Sequence, residues 1–188
     1  MNNYLSLCSG DRYLGSNWDS VDLDRWDLTE LPVPFIDDNS YEAVYIEHGI
    51  EHFYKYQGIN LCRESLRILK PNGILRVVWP SYNFIEKLLK NPEKYSNFVR
   101  NYLRRFSCNV PPNNTNKPEY EKVALALLSQ QGEHLYLWEE EELLQELCAM
   151  GFLANIVEYN QSSISAMSNI DTNDGLRKLH SAVIEGKK

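Results

Sequence analysis

The densest chemistry in this sequence is the six-residue run Glu47-His48-Gly49-Ile50-Glu51-His52. Imidazoles titrate near neutrality, and carboxylates beside them can orient the ring or balance its charge, so the run holds the parts of a general base. If a helix starts near Glu47, then His48, Glu51 and His52 share one face at i, i+3 and i+4. Two histidines and a carboxylate also suit zinc or iron, and His134, in Gly132-Glu133-His134, is a further donor. His48, His52 and His134 are the candidate catalytic residues.

A second group sits nearer the N-terminus. Cys8-Ser9-Gly10 follows a short apolar run, Asp22 closes another, and Asp27-Leu28 comes soon after. In open parallel sheets, ligands bind beyond the carboxyl ends of strands, at the point where strand order reverses. Gly10 would let backbone approach a ligand there. Arg100, Arg104 and Arg105 form a basic stripe that would suit a phosphorylated or carboxylated substrate, although such stripes are more often solvated faces. Tyr13, Trp18, Trp26 and Trp79 read first as core.

The elements that must position these residues alternate between short apolar runs and helical patterns, as in an α/β layer fold. Strands are predicted over Tyr4 to Leu7, Ser20 to Leu23, Ala43 to Ile46 and Ile74 to Trp79. A helix is predicted over Leu61 to Leu69, stopped by Lys70-Pro71-Asn72-Gly73. Further helices are expected over Phe84 to Leu89, Tyr95 to Phe106, Glu119 to Leu128 and Glu139 to Met150, the last stopped by Gly151. Val110 to Pro118 reads as loop, and Phe152 to Glu158 with His180 to Glu185 as a closing strand pair. Residues 81–137 form an insertion-like helical cap on a single domain spanning 1–188. Between Leu7 and Ser20, glycine, serine and asparagine interrupt any apolar stripe, so no helix is expected there.

Composition narrows the function. A chain of 188 residues hides about 70% of its surface on folding, enough for one layered core without disulfides. Its 26 acidic against 19 basic residues give a net charge of −7, which argues against a nucleic-acid footprint. The four cysteines include no CxxC pair, which suits a reducing compartment. The first residues lack the basic and apolar regions of a signal peptide, and no run is long enough to span a membrane. A cytoplasmic protein without membrane contact is expected. No GxGxxG occurs, so a nicotinamide dehydrogenase is disfavoured.

The runs YLSLCSG, SVDLD, WDLTELPVPFIDDNSYEAVYIEHGIEHF and LRILKPNGILRVVWP, in this order, resemble class I S-adenosylmethionine-dependent methyltransferases. More narrowly, the chain is similar to the short bacterial-type predicted methyltransferases of the same broad family as the ubiquinone methyltransferases. GEHLYLWEEEELLQELCAMGF resembles that family's closing helix and strand. The resemblance implies a Rossmann-like, mostly parallel sheet with helices on both faces and S-adenosyl-L-methionine as cofactor. The cofactor would lie against Leu7, Cys8, Ser9, Gly10, Asp22, Leu23, Asp27, Leu28 and Glu47. Asp22 would hold the ribose diol, and Asp27 with Leu28 the adenine. The reaction implied is methyl transfer to an O, N or C atom of a small-molecule or glycan acceptor. The alternative is a non-catalytic, degenerate binding domain acting as a partner subunit.

Two departures bear on that alternative. Cys8 stands where the family's first glycine does, and the front half has no room for the first two helices. His48-x-x-Glu51-His52 also resembles the E-x-x-E-H metal motif of some ubiquinone and small-RNA methyltransferases, with His48 in place of the first Glu. Because the same run is common in relatives without a metal role, no metal is expected.

Overall fold

The computed structural model describes residues 2–8, 10, 12–107, 116–172 and 174–188. Ser9, a predicted cofactor contact, lies outside them, as does most of the predicted 110–118 loop. Six strands form one sheet: β1 (Tyr4–Leu7), β2 (Trp18–Val21), β3 (Tyr41–Glu47), β4 (Leu69–Pro80), β5 (Leu153–Ile156) and β6 (Ser181–Lys187). Their order is β2-β1-β3-β4-β6-β5. The first four run parallel, and β6 is antiparallel to both neighbours. The chain moves from β1 to one side, then crosses back over it to β3, so strand order reverses between β1 and β3. A Rossmann-like α/β fold results.

β3 and β4 are buried almost throughout, which explains their unbroken apolar runs. On one face, Leu61, Cys62 and Ile68 of α1 (Lys55–Ile68) and Leu143 and Leu147 of α5 (Glu140–Met150) share a core with Leu5, Leu7, Val44 and Val77. On the other, Tyr45, Val78 and Val183 are covered by Tyr159, Met167 and Ile170. That covering segment is fixed electrostatically. Buried Arg76 donates to Asp171, to Glu185 at 2.8 Å and to the Gln161 carbonyl at 2.7 Å. α2 (Tyr82–Lys90), α3 (Ser96–Arg105) and α4 (Glu119–Ser129) pack around a separate cluster that includes Phe84, Phe98, Tyr102 and Val123.

The front half is short, as the sequence predicts. The described residues between β1 and β2 carry no helix, and Gly10 and Gly15 both take positive φ there. Several boundaries move. β2 begins at Trp18 rather than Ser20, α1 begins at Lys55 rather than Leu61, and β4 begins at Leu69 with a register shift against β3. No helix starts at Glu47. Instead His48 turns left-handed (φ 49°), a 3₁₀ turn spans Ile50–His52, and α1 follows. A sixth helix, α6 (Gly175–His180), leads into β6 and was not expected from the sequence.

β1 and β3 end close together. An added Cβ at Gly49 would lie 2.4 Å from Cys8 Cβ and 3.3 Å from its sulfur. Gly49→Ala is therefore expected to cost about 1–3 kcal/mol through overpacking. Cys8→Gly in the same chain should restore most of that loss, which a double-mutant cycle of melting curves would measure. Equal losses in both backgrounds would refute the contact.

Candidate functional site

Beyond the carboxyl ends of β1, β2 and β3 lies a cleft of about 670 Å³. Cys8, Gly10, Asp22, Leu23, Asp27, Leu28, Glu47, His48 and His52 all line it. Two predicted residues do not. Leu7 is wholly buried in the core beneath, so only its position at the strand end relates it to the cleft. His134 lies beside a smaller neighbouring cavity with His48 and His180.

Each strand end is arranged for exposure of polar groups. Cys8 takes φ 60°, the left-handed region that glycine enters without penalty, so this cysteine does what the expected glycine would do, at about 1–2 kcal/mol of strain. Burial and the nearby Asp22 and Glu51 carboxylates push its thiol pKa up, which leaves no reactive thiolate. Asp22 bridges two strand ends: one oxygen accepts from the Gly10 amide and the other from the Leu23 amide at 2.8 Å. A carboxylate oxygen has a second lone pair, so both can still accept from a diol. Asp27 accepts from the Thr29 amide at 2.9 Å and its hydroxyl at 2.8 Å, bonds that hold its carboxyl below the usual range.

Glu47 lines the cleft but is already committed. Its carboxylate accepts from Arg12 and from the Thr172 amide and hydroxyl, each of the latter at 2.8 Å. It therefore shapes the cleft wall and anchors the segment that Asp171 ties to Arg76. Arg12 and Thr172 have no motif around them. Only the fold brings them to Glu47.

Three of the chain's four histidines, His48, His52 and His134, gather around Glu51, and His180 lies beside His48. His48 Nδ1 lies 3.3 Å from the Glu51 carboxylate, and His48 Nε2 lies 3.0 Å from the Ser181 hydroxyl. The His48 and His180 rings are 5.6 Å apart, and those of His52 and His134 are 5.1 Å apart. Glu51 is fully buried, yet His48 and His134 outweigh that burial and hold its carboxyl below the usual range. An ionised Glu51 puts the His48 proton on Nδ1, leaving Nε2 as the basic nitrogen toward Ser181.

Glu51, His52 and His134 also place ligand atoms within 4.8 Å of one another. His52 Nδ1 faces the Glu133 carbonyl at 3.1 Å and His134 Nδ1 faces the Leu127 carbonyl at 2.9 Å. Carbonyls only accept, so both rings carry a proton on Nδ1; His52 keeps its Nε2 lone pair, whereas His134 Nε2 already meets the Gln130 side-chain amide at 3.1 Å, which must swing away before that nitrogen binds a metal. Two such imidazoles and a buried carboxylate fit a divalent transition ion, which would supply positive charge beside the cleft.

His180 is the buried counterpart. Burial and the charge of His48 push its pKa down to about 3. An unfolded histidine takes up its proton near pH 6.5, so between there and pH 3 the unfolded chain binds one more proton. Stability therefore falls as pH drops through that window, by up to about 1.4 kcal/mol per unit. Phe84, Phe98 and Tyr102 surround the ring, so His180→Phe is expected to flatten this acid-side slope. Denaturant titrations from pH 7 to 4 would show it, and an unchanged slope would refute it.

No protein-family model matches this chain, and no curated protein does either. Solved structures do. A SAM-dependent methyltransferase from Archaeoglobus fulgidus aligns over all of this chain and 86% of its own, with TM-score 0.53 and 13% identity. An O-methyltransferase family protein from Burkholderia thailandensis aligns over all of this chain and 51% of its own, with TM-score 0.52 and 8% identity. The Haloferax volcanii complex between the Trm112 methyltransferase activator and a methyltransferase aligns over 99% of this chain and 81% of its own, with TM-score 0.51 and 10% identity. Among the described residues, no helix is long and apolar enough to cross a membrane. These alignments give the chain the fold of the class I S-adenosylmethionine-dependent methyltransferases.

Proposed function

We propose that this chain binds S-adenosyl-L-methionine in the cleft at the ends of β1, β2 and β3. It would transfer the sulfonium methyl to an O, N or C atom of a small-molecule or glycan acceptor. The observation that carries this reading is the meeting of two chemistries in one cleft. Asp22 and Asp27 supply carboxylates on one side, and His48 with Glu51 supplies a base on the other.

In that reading Asp22 accepts from the ribose hydroxyls, and Asp27 and Leu28 flank the adenine. Gly10, whose own amide is held by Asp22, lets the loop after β1 approach the cofactor closely. The methyl group is already activated, so the chain's main task is to align acceptor and methyl and to exclude water. Arg105, from the 81–137 cap, and Phe106 close the acceptor end. Where the acceptor must lose a proton, His48 Nε2 takes it, directly or through the Ser181 hydroxyl, while Glu51 holds Nδ1–H and stabilises the imidazolium. His52 lines the same end, and His134 acts behind it. A metal ion held by Glu51, His52 and His134 would add positive charge there. Cys8 argues for activity over degeneracy, because it reproduces the backbone turn of a glycine.

The test is transfer of a deuterated methyl group from S-adenosylmethionine to a broad panel of phenols, amines, acids and sugars, read by mass spectrometry. Labelled product supports the reading. Tight cofactor binding without any transfer would favour the partner-subunit alternative.

A further inference from the structure

Three arginines line the cleft of this acidic protein: Arg12, Arg105 and Arg177. Two are balanced. Arg12 pairs with Glu47 and Arg105 pairs with Asp174 at 2.8 Å. Arg177, on α6, is half-buried and has no ion pair or side-chain hydrogen bond among the described residues. A guanidinium presents five N–H donors in a rigid fork, and leaving them without an acceptor in a partly dry site is unfavourable. Its position is also informative. Arg177 borders both the main cleft and the small cavity lined by His48, His134 and His180. It therefore stands on the basic side of the cleft, beside His48 and Phe106, whereas Asp22 and Asp27 occupy the cofactor side.

We propose that Arg177 anchors an oxyanion, a carboxylate or a phosphate, carried by the methyl acceptor. The inference rests on the methyl-transfer reading and adds the acceptor's charge to it. One unbalanced fork takes one planar or tetrahedral oxyanion through two parallel bonds. Phe106 beside it offers an apolar wall for the body of the molecule. A net charge of −7 repels anions over most of the surface, so the unbalanced Arg177 fork is where the cleft can hold one.

The test uses benzoate, phenyl phosphate and neutral benzamide as probes, titrated by ligand-observed NMR against the full chain with and without S-adenosylhomocysteine. Benzoate or phenyl phosphate should bind about tenfold tighter than benzamide, and the better of the two identifies carboxylate or phosphate as the anchor group. Arg177→Gln should abolish that preference, Arg177→Lys should keep part of it, and calorimetric affinity for S-adenosylhomocysteine should stay unchanged in both variants. Equal binding of benzamide, a preference that survives Arg177→Gln, or no binding of either anion in the millimolar range would overturn the proposal. Absence of S-adenosylhomocysteine binding would instead remove the methyl-transfer reading, with the anion preference still read on the cofactor-free chain.

Discussion

Asp22→Ala should weaken S-adenosylmethionine binding by about 1.5–3 kcal/mol, the range for hydrogen bonds to a charged group. Two contributions act in the same direction. The first is loss of two acceptor oxygens for the ribose diol. The second is loss of the bonds that hold the Gly10 and Leu23 amides in place, which frees the loop that must pack against the cofactor. Asp22 lies at the protein surface and is only half-buried, so the fold should survive the change. Isothermal calorimetry of both proteins gives the difference directly, with circular dichroism to confirm folding. Unchanged affinity in a folded variant would remove Asp22 from the site.

His48→Ala should produce the largest effect on turnover, a loss of about 10²–10⁴-fold, as for removal of a general base. Cofactor affinity should change little, because the ring faces Glu51 and Ser181 rather than the Asp22 side. A loss in kcat with nearly unchanged cofactor binding marks a group acting on the acceptor. Glu51→Gln should reproduce part of the loss and shift the pH profile, since a neutral amide no longer stabilises the imidazolium. His52→Ala should have the smaller effect, because its Nδ1 is committed to the Glu133 carbonyl. Retained turnover in the His48, His52 double variant would leave positioning by the cleft as the whole mechanism.

What was legible in the sequence follows from how local each signal is. β1, β3 and the core of β4 were readable because strands buried on both faces need continuous apolar runs. Gly151 marked the end of α5 correctly, with φ 105°. β2 was misplaced because Trp18-Asp19-Ser20 has no apolar run, and its pairing with β1 decides the strand. The shared helical face expected of His48, Glu51 and His52 does not exist as a helix. A left-handed His48 and a 3₁₀ turn bring the groups together instead. Asp174, whose side chain accepts from the Leu176 amide, was a readable helix start, but α6 is too short for a periodic pattern. Arg12, Thr172, Arg177 and Ser181 join the site only through contacts between distant parts of the chain, which no spacing rule records.

A crystal structure with bound S-adenosylhomocysteine would show whether one cleft holds the methyl donor beside His48. The ribose is expected on Asp22, the adenine against Asp27 and Leu28, and the sulfur facing His48 with room for one acceptor between them. A sulfur more than about 10 Å from the His48 ring, too far for proton transfer from an acceptor at the methyl, or a ligand bound outside this cleft, would contradict this placement.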